Sequence, residues 1–146
     1  MSLSINVDGL VLPVSANLVA LLIQIVNQRE LTPSRLEAIT AITFNFRDPT
    51  YSAEDGGYHP VEIRLGRQGD VFRLEYVTDF SFVGAAGWDA ELAKEIDFDI
   101  TWGKCEVRYC PPVNLADAAS LYQTFESNFM SYHQMGVFDV SVATED

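Results

Sequence analysis

The feature that most constrains this chain is a change in the spacing of its apolar residues. From Leu18 to Val26 they recur at helical spacing, and from Leu36 onward they alternate with polar residues. A period of 3.6 buries one stripe of a helix, whereas a period of two buries one face of a strand. The pattern therefore predicts a helix followed by a sheet, which is typical of an α+β fold.

The first helix is predicted to begin at a cap formed by Ser15 or Asn17 and to run to about Arg29. The segment Leu31–Pro33 should end it, because the residue before a proline is disfavoured in the helical region.

A second helix is predicted after Pro111 and Pro112, where the sheet should stop. Asn114 is a suitable N-cap, and Gly136 is a suitable residue just beyond the C-terminus. The apolar stripe of this helix consists of Ala118, Leu121, Tyr122, Phe125, Phe129 and Tyr132.

The segments between the two helices predict a meander of antiparallel strands. The predicted strands are Leu36–Arg47, Val61–Gly66, Phe72–Phe82, Leu92–Trp102 and Lys104–Cys110, with Val137–Val142 as a short final strand or extended tail. The segment 67–70 is predicted to be a hairpin turn, and the segment 84–87 a break. Lys94 falls in an apolar register, so we place it near the start of its strand, where its stem can lie along apolar surface.

Strict alternation assigns each strand residue to one of two faces. In the third strand it directs Phe72, Leu74, Tyr76, Thr78, Phe80 and Phe82 to the core. It directs Glu75 and Asp79 to solvent. We therefore predict one domain, residues 1–146, with a twisted antiparallel meander sheet of five to six strands. An N-terminal and a C-terminal helix should pack on one face of that sheet, and the other face should be wet.

Charge limits the partners of the chain. Its 21 acidic and 9 basic residues give a net charge of −12, which repels phosphate and anionic lipid. We expect no direct nucleic-acid binding, no membrane binding and a basic protein surface as the partner. The start of the chain has no leader pattern, and Cys105 and Cys110 have no metal or redox spacing, so we expect two free thiols and a cytoplasmic location.

The segment from Arg47 to Pro60 is the least ordinary part of the sequence. It holds two tyrosines, one histidine, three acids, two prolines and a Gly-Gly pair. Long loops in compact domains are often functional. The binding candidates here are Asp48, Tyr51, Glu54, Asp55, Tyr58 and His59. They match no named ligand motif, so a structural loop remains the favoured alternative to a metal or acid–base site.

Three further acids, Asp79, Asp97 and Asp99, are binding candidates on the predicted wet face. A hard cation needs about six oxygens, and no segment supplies them together, so a solvated face with ion pairs is favoured. The sequence predicts no catalytic residue, no metal ligand and no cofactor. His133, the second histidine, has a sufficient role at a helix C-terminus.

Several segments of the chain resemble a family of bacterial domains of unknown activity found in mobile genomic islands. They are Ile42–Pro49, Gly56–Ile63, Tyr76–Phe80, Glu91–Asp99 and Asn128–Phe129. The resemblance covers most of the chain and implies no catalytic residue.

In layout and charge the chain is also similar to the acidic mitochondrial matrix glycoprotein family, which binds complement components. That family implies a twisted antiparallel sheet flanked by terminal helices, ring-like oligomers and many partners. This chain is shorter, and we expect it to have no transit peptide and only one long helix after the sheet.

Three functions follow as hypotheses. The preferred one is a non-enzymatic module whose acidic sheet face or Tyr51–His59 loop binds a basic protein. The alternatives are a small enzyme or metal-binding protein that uses the Asp48–His59 loop, and a DNA mimic that acts as a defence accessory. We also expect a homo-oligomer, because two helices, each about 10 Å wide, cover only about four strands.

Overall fold

The computed structural model describes residues 3–84 and 90–146. Within them the chain forms a seven-stranded sheet in the order β6-β5-β4-β3-β2-β1-β7, with every neighbouring pair antiparallel. The strands are β1 (Ala41–Arg47), β2 (Val61–Gln68), β3 (Val71–Val83), β4 (Glu91–Asp99), β5 (Lys104–Val107), β6 (Val113–Asn114) and β7 (Asp139–Glu145). The helices are α1 (Ala16–Asn27), α2 (Pro33–Ala38) and α3 (Ala119–Gln134), and a 3-10 turn (Leu115–Ala118) precedes α3.

The predicted α+β class and antiparallel sheet are confirmed, but the predicted count of five to six strands is too low. The first six strands form the expected meander, and the last of them, β6, contains only two residues. The tail is a full strand, since β7 pairs with β1 over the whole register from Ala41↔Glu145 to Arg47↔Asp139. It closes the edge of β1 that the meander leaves free.

The N-terminal region follows the prediction at its start and departs from it at its end. Ser15 caps α1 by accepting a hydrogen bond from the Leu18 backbone N–H at 3.1 Å. The predicted early part of the first strand is instead the short helix α2. Thr32 caps this helix by accepting from the Arg35 N–H, and a proline is tolerated in the first turn because no N–H is needed there.

Both long helices pack on the same face of the sheet. The ring of Phe46 in β1 lies 4.8 Å from that of Phe129 in α3, and the ring of Phe98 in β4 lies 5.1 Å from that of Tyr122. Leu18 and Leu22 of α1 are buried in the same core. The apolar stripe predicted for α3 is therefore largely confirmed, although Leu121 is 39% exposed.

A β-bulge in β3 overturns the predicted alternation of that strand. Arg64 pairs with Tyr76 and Leu65 pairs with Leu74, so Glu75 is an extra residue with no partner of its own. An extra residue reverses the side-chain alternation beyond it. Phe72 and Leu74 face the core as predicted, but Tyr76 and Thr78 face the opposite, open side of the sheet. Val77 and Asp79 turn inward in their place.

A second bulge lies between β3 and β4. Asp79 pairs with Ile96 and Phe80 pairs with Lys94, which leaves Glu95 as the extra residue. The apolar register predicted for Lys94 is therefore wrong, and its side chain is 66% exposed.

The predicted end of β4 at Trp102 is also wrong. The strand stops at Asp99, whose side chain accepts a hydrogen bond from the Trp102 N–H and closes a turn. Trp102 itself is 53% exposed.

The remaining predictions concern loop and helix ends. Cys105 is buried in β5 and Cys110 is exposed beyond it, both as free thiols. Asn114 does not cap a helix with its side chain, which instead accepts from Lys104 at 2.6 Å. Gly136 follows α3 with φ +79° as predicted, and most of the predicted break at 84–87 lies outside the described residues.

Candidate functional site

The loop between β1 and β2 is organised by the buried carboxylate of Asp48. Its Oδ1 accepts hydrogen bonds from the N–H and the hydroxyl of Thr50, at 2.9 and 2.7 Å. Its Oδ2 accepts from the Tyr58 N–H at 3.0 Å. These donors, Tyr58 first, lower the pKa of Asp48 because they stabilise its charged form. Asp48 is therefore a structural anchor of the loop and is not free to bind a ligand.

Gly57 allows the loop to close tightly on this anchor. Its φ is +138°, and a side-chain carbon there would lie 2.9 Å from both Asp48 Oδ2 and the Cα of Tyr51. The Tyr51 ring packs 5.5 Å from that of His59, and its hydroxyl accepts from the Phe82 N–H. The closed loop thus holds His59 against the end of β3.

His59 meets two carboxylates. Its Nδ1 lies 3.0 Å from Asp79 Oδ2 and 2.8 Å from Glu95 Oε2. The hydrogen bond to Asp79 is the main cause of a raised His59 pKa, and the charges of Asp79 and Glu95 add to it. Partial burial and the charge of Arg108 act in the opposite direction. The cluster therefore favours a positive charge between two acids.

The two bulges bring these acids together. The bulge at Glu75 turns Asp79 to the helix-covered face, where its side chain is only 8% exposed. The bulge at Glu95 adds a second carboxylate beside it. Asp79 is held in position because its Oδ1 also accepts from the Ile96 N–H at 2.8 Å.

A cavity of about 350 Å³ opens beside the cluster, between the β1–β2 loop and α3. Its walls are largely aromatic, and the rings of Tyr58 and Tyr132, which both line it, pack against each other with their centroids 4.6 Å apart. Its lining includes Tyr58, His59, Asp79, Phe125, Tyr132 and Phe138. An apolar pocket with a few convergent polar groups is a common form of binding site.

Residues 16–143 match the family described as "Protein of unknown function (DUF2787)". The chain belongs to this family. The resemblance drawn from the sequence is thus confirmed. A comparison with curated protein sequences found no match.

Two solved structures resemble this DUF2787 member over nearly its whole length. Both are hypothetical proteins from pathogenicity islands of Vibrio cholerae. The protein from island VSP-II is 32% identical, with a TM-score of 0.88 over 98% of this chain and 99% of its own. The protein from VPI-2 is 36% identical, with a TM-score of 0.79 over 95% and 99%. The VPI-2 protein shares structural homology with the human P32 protein, in line with the resemblance in layout to the acidic mitochondrial matrix glycoprotein family.

The structure divides the predicted site residues of this DUF2787 member into separate groups. Tyr51, Tyr58, His59 and Asp79 meet at the cavity and the cluster beside it. Glu54 and Asp55 are exposed in the same loop. Asp97 lies on the open face, where it accepts from Thr78 at 2.7 Å and from Lys94 at 3.5 Å. Asp99 closes its turn, so Asp97 and Asp99 do not belong to the cavity.

The candidates predicted from the sequence did not include Glu95 or three residues of α3. These three residues, Phe125, Asn128 and Tyr132, line the cavity. Two features of the sequence indicated the bulges that strict alternation did not predict. Apolar Val77 fell among predicted polar positions, and charged Lys94 fell in an apolar register. Each is what an unrecognised extra residue produces.

In the described residues, no helix combines the length and apolar character needed to cross a membrane.

Proposed function

We propose that this protein is a non-enzymatic binding module for a basic segment of a partner protein. The observation that carries the proposal is the aromatic cavity between α3 and the β1–β2 loop, a loop that also has exposed acids. Aromatic faces attract ammonium and guanidinium groups and accommodate their aliphatic stems. Glu54 and Asp55, both exposed, supply carboxylates a few residues from the cavity wall at Tyr58.

The charge of the whole chain supports this choice of partner. A net charge of −12 attracts basic surfaces over distances comparable to the Debye length, about 8 Å at physiological salt. The open face of the sheet is a weaker candidate, because Arg64 pairs there with Glu75 and Glu145. The same pairing weakens the DNA-mimic alternative, which needs an uninterrupted row of carboxylates.

A labelled lysine- and arginine-rich peptide tests the proposal by fluorescence anisotropy, with EDTA present. Reversing the loop charges with Glu54→Lys and Asp55→Lys should weaken binding about tenfold, since each lost attraction is worth on the order of 0.5–1 kcal/mol. A Tyr132→Ala variant should weaken it further by removing part of the aromatic wall.

The matched control is Glu37→Lys with Asp70→Lys, which changes the net charge equally. Both positions are exposed at the opposite end of the β1–β2 pair. This variant should weaken binding much less, and added salt should weaken binding for all variants. Equal losses in the two charge variants, or no peptide binding at all, would remove the proposal.

We further infer that the protein is a homo-oligomer in which a second copy covers the outer edge of β7. That strand pairs with β1 on one side, and no described strand lies on its other side. An exposed strand edge offers unpaired N–H and C=O groups to another chain. Light scattering should give a dimer or trimer mass; a mass of 16.3 kDa, that of one chain, at every concentration would contradict the inference.

We also propose a cytoplasmic location, which the exposed free thiol of Cys110 supports because thiols persist in reducing compartments.

A further inference from the structure

The His59 cluster contains more acceptors than one proton can satisfy. Both Asp79 Oδ2 and Glu95 Oε2 lie within 3.0 Å of the same ring nitrogen, Nδ1. A protonated Nδ1 carries a single N–H and can donate one well-aligned hydrogen bond. The arrangement therefore brings three electron-pair donors to one point, and a proton can link only two of them well.

The charge of the cluster is also unbalanced. Two carboxylates face one imidazolium, and Asp79 is only 8% exposed. Arg108 lies close enough for its charge to act on His59, but it donates its hydrogen bonds to Ser81 and to backbone carbonyls and to neither acid. Burying a charge without a full counter-charge is unfavourable. A doubly charged ion bound by a neutral imidazole and both carboxylates would leave no net charge on the ion and its three ligands, and each carboxylate would have a direct counter-charge.

We propose that His59, Asp79 and Glu95 bind a divalent transition-metal ion of the zinc class. Their donor atoms all lie within 4.8 Å of one another. Zinc binds nitrogen and carboxylate oxygen at about 2.1 Å, which places neighbouring ligands of a tetrahedral site roughly 3.4 Å apart. The present separations of 2.8 and 3.0 Å need to widen only by a few tenths of an ångström.

The surroundings fit such a site. Asp79 is oriented by the Ile96 N–H on its other oxygen, which is the kind of support that metal ligands receive. His59 and Asp79 line the cavity, whose volume of about 350 Å³ leaves room for water ligands on a bound ion. Three protein ligands with an open position are typical of accessible zinc sites, and mixed nitrogen and oxygen donors disfavour magnesium.

This site goes beyond the proposed function, since it requires no protein partner. The test is isothermal titration of chelator-treated protein with zinc chloride, without peptide. Cobalt(II) absorption is a second readout, because a tetrahedral site with a nitrogen ligand gives characteristic visible bands. The variants are His59→Gln and Glu95→Gln, and the matched controls are His133→Gln and Glu106→Gln.

The expected result is one zinc ion per chain in the wild-type protein. His59→Gln and Glu95→Gln should each lower the affinity at least tenfold, while both controls retain it. A wild-type protein that binds no zinc overturns the proposal without any variant. Equal loss in His133→Gln and His59→Gln overturns it as well, because the ion would then bind elsewhere. If His59→Gln fails to fold, Glu95→Gln and the cobalt spectrum decide.

Discussion

Each of the two bulges in this sheet inserts one extra glutamate into a strand, but the surroundings of the two glutamates differ. At Glu75 the extra residue lies on the open face, and its carboxylate accepts from Arg64 Nε at 2.8 Å. At Glu95 the extra residue adds its carboxylate to His59 beside a cavity. The first bulge completes an ion pair on a solvent-exposed face. The second leaves a charged cluster next to open space.

The neighbouring glycines show the same difference. Gly66 makes room for the Glu75 side chain, since an added carbon would lie 2.4 Å from Glu75 Oε2. Gly57 makes room for the backbone of Tyr51 and for the anchor carboxylate of Asp48. A flexible side chain can move away from an added methyl group, but a backbone atom cannot move without rearranging the loop. The comparison indicates that the open-face network is tolerant and that the site is rigid.

Gly57→Ala should have the largest effect on stability. The added carbon meets backbone at 2.9 Å, and the φ of +138° is one that alanine rarely adopts. We expect a loss of about 3 kcal/mol in the free energy of unfolding, at the upper end of the cost of a strained backbone residue. Urea denaturation measures it.

Gly56→Ala is the matched control for that substitution. Its φ is +72°, but nothing lies within 4 Å of the added carbon. It should cost only about 1 kcal/mol, the usual cost of a left-handed conformation. Equal losses at the two glycines would show that the contact with Tyr51 and Asp48 is unimportant.

Gly66→Ala should have an intermediate effect. The obstacle is the end of the Glu75 side chain, which can swing into solvent at the expense of its ion pair with Arg64. We expect a loss of about 1 kcal/mol in unfolding free energy, of which about 0.5 kcal/mol is the ion pair and the rest is the displacement of the Glu75 side chain from its preferred rotamer. A loss as large as that of Gly57→Ala would contradict the contrast between the two regions.

The Arg64–Glu75 pair should show the smallest effect. Both side chains are partly exposed, at 28% and 35%, and Arg64 keeps Glu145 as a second partner. A double-mutant cycle with Arg64→Gln and Glu75→Gln should give a coupling energy of about 0.5 kcal/mol that decreases with salt. A coupling above about 2 kcal/mol, insensitive to salt, would show that the pair behaves as a buried one.

Much of the fold was predictable because it depends on local patterns. The Ser15 cap, the glycine after α3 and the inward face of β1 each follow from a few neighbouring residues. The predicted start of the first strand, at Leu36, was wrong. Thr32 and Pro33 can begin a helix as readily as they can end the preceding one. The place of β7 depends on a free strand edge distant in sequence, which no local pattern reveals.

The site was less predictable for a specific reason. A single extra residue at Glu75 changes the face to which every later side chain of β3 points. Strict alternation therefore assigned Asp79 to the wrong face of the sheet. Apolar Val77 at a predicted polar position indicates a change of register in β3, but it does not determine which residue is the extra one. The pairing with β2 determines it, and α3 then supplies Phe125 and Tyr132 from far along the chain.

The site depends on Asp79 lying on the helix-covered face of the sheet, hydrogen-bonded to His59. The most direct test is an NMR titration of the histidine ring protons in metal-free protein, with His59 assigned by comparison with His59→Gln. Asp79 and Glu95 face this ring and raise its pKa, whereas the charge of Arg108 lowers it. Because the pKa of His59 is raised in the folded protein, the His59–Asp79 pair contributes its full stabilisation below pH 6.5. This stabilisation is lost as the pH rises through the folded-state pKa of His59.

We expect a His59 midpoint above 6.5 that decreases in Asp79→Asn, and decreases less in Glu95→Gln, because the Asp79 hydrogen bond is the largest cause of the raised pKa. Backbone amide spectra of each variant confirm that it remains folded. A midpoint at or below 6.5 that Asp79→Asn leaves unchanged would contradict the inward position of Asp79 and, with it, the site.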